Sequence, residues 1–349
     1  MTTAHPADPA AGAAPAVGRV PWPAVTAFVL LACGSAWLVT LPLWLGEGLA
    51  SPLSGLLLPL MMFTPALAAV IVGFAFRMPA TGRLRFLGIW PLRPAGRFVL
   101  FLVLGLVLPI VVIVLTALVA GALGLVRLDL IGFSGFAEQV AAATPSGVPL
   151  PPIGVLAAIQ LLALPVGAVV NSVLAFGEEL GWRGWLQTAL LPLGPWPAVL
   201  LTGAIWGVWH APIILLGYNF GRADVTGVLF MVGGCLAWGV LLGWLRIRST
   251  SLWPAVIAHG SLNAAGGLVL ILAAAGQTPD LALVGALGVV AWLVVAACVA
   301  VIALLRQFRV GSPPEPSSHV RHNRATATAT AAAGDSAPAA DQASRGEDR

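Results

Sequence analysis

Long apolar runs alternate with short polar connections along this chain, and the runs approach the about 20 residues that a helix needs to cross roughly 30 Å of hydrocarbon. Eight are legible: Trp22–Trp44, Gly55–Phe76, Phe98–Val126, Pro165–Leu190, Trp196–Gly217, Gly227–Leu245, Ser251–Ala275 and Leu281–Leu305. The residues from Ile153 up to Pro165 are apolar as well. Joined to the fourth run they exceed one crossing, so they are read as a separate helical piece at the outer face. The pattern predicts an all-α, polytopic membrane protein of about eight transmembrane helices.

Composition agrees with that reading. Of 349 residues, 59% are hydrophobic and 9% charged, with a mean hydropathy of +0.97. Soluble domains average about 25% charged residues, so this chain lacks the charge to wet a soluble surface. The net charge of +4 does not point to nucleic acid, because all 17 basic residues are Arg and sit between apolar runs rather than in one stripe. Arg77, Arg83, Arg85, Arg93 and Arg97 follow the second run, Arg246 and Arg248 the sixth, and Arg306 and Arg309 the eighth. Connections on the other side hold Glu47, Arg127, Asp129, Glu138, Arg222, Asp224 and Asp280. An excess of Arg marks the cytoplasmic side, which places both termini in the cytoplasm of a multi-pass cell-membrane protein. The first run is too long for a signal-peptide core and lacks a basic leader, so it is expected to stay in the membrane.

Three segments follow. Residues 1–20, rich in Ala and Pro, are expected to form a flexible cytoplasmic N-terminus, residues 21–309 the helical membrane domain, and residues 310–349 a disordered cytoplasmic tail. Cys33, Cys235 and Cys298 each sit inside an apolar run without metal or redox spacing. Trp22, Trp37, Trp44, Trp90, Trp196 and Trp253 lie near span ends, where amphipathic rings suit the headgroup region.

A charged or strongly polar side chain in hydrocarbon is costly, and so marks a functional candidate. Such groups are Glu178, Glu179 and Arg183 in the fourth run, His210 in the fifth, and His259 and Asn263 in the seventh, with Asn171 and Gln187 beside them. Counting from the cytoplasmic helix ends at about 1.5 Å per residue, Glu178 lies roughly 18–20 Å deep, His210 roughly 20 Å, His259 about 12 Å and Asn263 about 18 Å. Glu179 and Arg183 are four apart and can pair, which assigns them to structural support and leaves Glu178 free. His259 and Asn263 are also four apart and share a face. Trp206 precedes His210 by one turn, and Pro212 predicts a kink there. The glycine pairs Gly177/Gly181, Gly203/Gly207 and Gly239/Gly243 are read as close helix packing.

A desolvated Glu beside a His can activate water, while His259 and Asn263 can donate to a developing oxyanion. Glu178, His210 and His259 are equally the ligand types of a catalytic zinc. Both routes lead to peptide hydrolysis in a hydrated cavity expected to face the cytoplasm, and the residues do not choose between them. No His-Glu-x-x-His or Gly-x-Ser-x-Gly run occurs, and no Asp lies inside a span, which argues against site-2-type zinc, rhomboid-like serine and aspartyl intramembrane proteases. A non-catalytic peptide-binding, immunity or scaffold protein of the same fold is the alternative function; a proton-coupled transporter finds no internal repeat or paired broken helices to support it.

The run Glu178-Glu179-Leu180-Gly181-Trp182-Arg183, then Trp206-Gly-Val-Trp-His210, then His259-Gly-Ser-Leu-Asn263 resembles the three motifs of the CPBP family. These are the CAAX proteases and bacteriocin-processing (ABI) enzymes, related to the Rce-type CAAX prenyl endopeptidase. The resemblance covers about residues 164–266. It implies an intramembrane endopeptidase acting on membrane-associated proteins or peptides, with Glu178 activating water, His210 its partner, His259 and Asn263 ligands or oxyanion donors, and Glu179–Arg183 bracing the site. Trp206 stands where the family has Phe.

Overall fold

A computed structural model of the chain describes residues 18–308, so the expected tail and all but the end of the expected N-terminal segment lie outside the described residues. The first three apolar runs become α1 (Trp22–Leu45), the broken pair α2 (Ser54–Met61) and α3 (Thr64–Ala75), and, after the short α4 (Arg83–Phe86), the long α5 (Ala95–Ala122). A connection containing α6 (Ser134–Ala143) leads to α7 (Ile153–Leu162), which is bent by 50° against the helical run that starts at Leu164. That run comprises α8 (Leu164–Glu179), a stretch of π-helical turns (Leu180–Leu186) and α9 (Gln187–Leu190). The separate piece expected before Pro165 is therefore present.

The remaining elements are α10 (Pro195–Trp209), α11 (Ala211–Ile214), α12 (Val225–Ser249), α13 (Trp253–Ala265), α14 (Leu268–Leu272), α15 (Leu281–Val284) and α16 (Val289–Leu304). Six helical segments are long and apolar enough to cross a membrane, and the bent α7–α8 pair makes a seventh. The protein is thus an all-helical, multi-pass membrane protein.

The fifth run, Trp196–Gly217, folds differently from a single crossing helix. Its α10 has 15 residues, about 22 Å of helix, and stops at Trp209. Pro212 has no N–H to offer the Val208 carbonyl, and the chain tightens as the His210 amide donates to Gly207 at 3.2 Å instead. This early stop puts His210 at a helix end inside the fold.

The bundle has two distinct ends. At one, Arg246 donates to the Phe86 carbonyl at 2.9 Å, the Leu252 amide to Gly88 at 2.8 Å, and the Trp196 ring stacks on Phe308 at 4.3 Å. This is the Arg-rich end. At the other, the Trp44 indole donates to Pro212 at 2.9 Å, Leu128 bridges Ala273, and Arg222 pairs with Asp280 at 2.6 Å. Asp129 orders the connection there. The Ser134 hydroxyl and the backbone N–H groups of Gly132 and Ser134 hold its carboxyl down at about 2, since each donor favours the ionised form.

Helices α8 and α13, α10 and α12, and α5 and α13 form the most extensive pairs. Lipid offers no hydrophobic drive for helix association, so close backbone approach through small residues supplies it. Gly260 shows the tightness: a Cβ there would run into the Ala168 carbonyl and the Ser172 hydroxyl of α8. Gly260→Ala is expected to cost about 1–3 kcal/mol by overpacking, seen as a lower thermal midpoint in detergent. Gly34→Ala, whose Cβ would meet nothing within 4 Å, should leave that midpoint unchanged.

Candidate active site

The fourth run changes character just after its two carboxylates. Glu178 and Glu179 end α8, and the wider π-helical turns that follow bury every residue from Leu180 to Leu186. Such widened turns are frequent at functional sites. Gly181 makes room for them: a Cβ there would lie 2.5 Å from the Pro65 Cβ of α3.

The expected Glu179–Arg183 pair forms, with the Arg183 guanidinium donating to Glu179 Oε1 at 2.6 Å and both side chains fully buried. Glu179 does more than brace its own helix. The same oxygen accepts from Nδ1 of His259 on α13 at 2.8 Å. Because a carboxylate only accepts, His259 carries its proton on Nδ1 and presents Nε2 elsewhere. His210 is set the same way, its Nδ1 donating to the Trp206 carbonyl at 2.9 Å. That carbonyl is available because the His210 amide bonds to Gly207 instead.

Trp206 ties the group together. Its indole N–H donates to Glu178 Oε2 at 2.6 Å. The Arg183 guanidinium lies over its ring at 4.4 Å, and its centroid sits 5.2 Å from His259 and 5.8 Å from His210. A cation over an indole face is attracted by the ring quadrupole, which helps a guanidinium whose Nε has no hydrogen-bond partner.

Glu178, Trp206, His210, His259 and Asn263 all line one cavity of about 440 Å³. Asn171 also lines it, with its amide donating to Gly167 at 2.9 Å. Gln187 does not; it is buried and donates to the Gly243 carbonyl at 3.2 Å, a structural contact. Sequence reasoning missed Glu179's reach to His259, the Trp206 donor, and the presence of Tyr218 and Cys235 in the wall. Only the indole was signalled, by a Trp in place of Phe.

Among the described residues, no group of three or more His, Cys, Asp and Glu side chains comes together so as to hold a metal ion. The expected zinc set of Glu178, His210 and His259 is therefore not assembled as a three-ligand site. One Glu178 oxygen is engaged by Trp206, and Nδ1 of each ring is engaged elsewhere.

The cavity extends away from the Arg-rich end. Past Glu178 on the Arg side, all residues from Leu180 to Leu190 are buried. On the other side the wall continues through Tyr218, Asn219, Gly267 and Leu281.

Residues 159–265 match a family model, Rce1-like, described as type II CAAX prenyl endopeptidase Rce1-like. The matched segment contains every polar group named above from Glu178 to Asn263. The match supports protease activity at a membrane. No curated protein matches the chain.

Removing one partner of a buried ion pair leaves the other uncompensated, at about 3–5 kcal/mol. Glu179→Ala is therefore expected to lower the thermal midpoint in detergent far more than Glu47→Ala, a change at an exposed connection. Equal midpoints would contradict the bridging arrangement.

Proposed function

We propose that the protein is an intramembrane endopeptidase hydrolysing peptide bonds of membrane-associated proteins or peptides. The observation that carries this reading is the shared cavity in which Glu178, His210, His259 and Asn263 meet. A water held between the Glu178 carboxylate and the His210 ring attacks the scissile carbonyl carbon. Its proton passes to Glu178 or to Nε2 of His210, the ring atom left open by the bond to Trp206. The oxyanion is met by the Asn263 amide, while His259, held by its Nδ1–H on Glu179, turns Nε2 toward the same cavity. Donors preset where charge develops are often the largest catalytic term in acyl transfer. Breaking the C–N bond returns the proton to the leaving amine, so each water consumed yields one carboxyl and one amine product. The apolar wall, with Leu58, Met62, Leu174, Ile213 and Met231, suits an apolar substrate segment.

The metal-free form of this reading rests on Glu178 and His210 alone activating the water. Glu178→Gln and His210→Ala should each lower cleavage of a quenched-fluorescent, lipid-anchored peptide library by about a hundredfold to ten-thousandfold, with thermal midpoints unchanged. Full activity in either variant overturns the assignment. Activity should also survive chelation, with substoichiometric metal by elemental analysis. A stoichiometric metal whose removal abolishes cleavage overturns the metal-free route.

Trp206→Phe retains the ring and deletes the donor to Glu178. A hydrogen bond to a charged group contributes about 1.5–3 kcal/mol, so kcat should fall roughly tenfold to hundredfold with KM little changed.

A further inference from the structure

We infer that substrates enter this site from the membrane face opposite the cytoplasm, as polypeptide segments presented at the non-cytoplasmic leaflet. The inference rests on the protease reading for what happens in the site, but its geometric basis is separate. The cavity wall runs from Glu178 toward Tyr218, Asn219, Gly267 and Leu281, with Tyr218, Asn219, Asn263 and Gly267 exposed. No residue of the Arg-bearing connections contributes to it.

The Arg-rich end is sealed. The π-helical turns and α9 fill the space beyond Glu178, and the Trp185 indole donates to the Met78 carbonyl at 3.2 Å, closing that element against the connection after α3. Water and an extended peptide therefore reach Glu178 from the side away from the Arg-bearing connections. Arg distribution then decides which compartment that end faces. Arg77 to Arg97, Arg246, Arg248 and Arg306 share the sealed side, while the open side has Arg127 and Arg222 beside Asp129, Asp224 and Asp280. Flanking Arg excess marks the cytoplasmic side. The depth arithmetic agrees, since roughly 18–20 Å from the Arg side lies past the middle of a roughly 30 Å hydrocarbon core.

The rim has its own structure. Arg222, after α11, pairs with Asp280, before α15, at 2.6 Å, tying two sides of the mouth while both side chains remain partly exposed. On another side the wall is split between α2, with Leu58 and Met62, and α8, with Asn171 and Leu174. The second span packs on α8 mainly through its α3 half, so a membrane-anchored segment can approach between α2 and α8. The substrate class that fits is a membrane protein or lipid-anchored peptide whose scissile bond lies at the outer, non-cytoplasmic leaflet. A C-terminal tail displayed in the cytoplasm would not reach the carboxylate.

Two exposed positions read this directly. Ala223, at the open end, and Thr81, at the Arg-rich end, are each changed to Cys in the full-length protein and treated with a membrane-impermeant maleimide, with the unaltered chain as background. Labelling of Ala223→Cys in intact cells, and of Thr81→Cys only after permeabilisation, is expected. The reverse pattern overturns the inference. A quenched-fluorescent, lipid-anchored peptide added to sealed right-side-out vesicles should be cleaved, and the same peptide added to inside-out vesicles should not. Cleavage confined to inside-out vesicles also overturns it. No cleavage in either vesicle or in detergent, with the expected labelling, sinks the protease reading and leaves the orientation of the open end established.

Discussion

Charge buried among apolar helices is the constraint on which the rest of this protein depends. Arg183 has no exposure at all, and a cation at such depth is expensive on every scale of membrane insertion. It is met by Glu179 at 2.6 Å and by the Trp206 ring face at 4.4 Å. Those two partners come from different helices, and Glu179 reaches a third through His259. Satisfying one guanidinium therefore fixes α8, α10 and α13 relative to one another. The same arrangement holds Glu178 by one oxygen and locks both imidazoles in the tautomer that exposes Nε2. Structural support and catalytic geometry are one network, in which the chemical groups inherit their positions from the ion pair behind them.

Such a network needs backbones closer than ordinary side chains permit. Gly260 on α13 meets α8, and Gly181 meets Pro65 on α3. Tight contact in these places leaves little room for the carboxylates to shift, consistent with the need to hold reacting groups within a fraction of an ångström. Within the widened turns after Glu179, Arg183 reaches back to Glu179 while Trp182 and Trp185 pack around Phe28.

Much of this was legible in the chain. Apolar run length gave the helices, and the i, i+4 spacing of Glu179 and Arg183 gave their pairing. The clustering of Glu178, His210, His259 and Asn263 followed from the shared depth of rare polar residues. What escaped had a physical reason in each case. The bond between Glu179 and His259 joins residues 80 positions apart on different helices, and spacing within one helix carries no information about it. Hydropathy carries the run on to Gly217, and only the kink expected at Pro212 signals that α10 ends at Trp209.

The sealed and open ends of the cavity follow from the same buried cluster. Glu179 and Arg183 pair behind Glu178 with the Trp206 face over the guanidinium, all three side chains out of reach of water. Hydrating the Arg183 side would offer the guanidinium alternative partners and release the hold on His259, so the network is stable only where water is kept out. Glu178 stands at the boundary, one oxygen on the dry side with Trp206 and the carboxylate lining the cavity. A carboxylate so placed can meet water from a single direction. The cavity must then open away from the ion pair, and the ion pair lies toward the Arg-bearing connections. Access from the opposite face is thus a consequence of how this protein accommodates one cation in lipid.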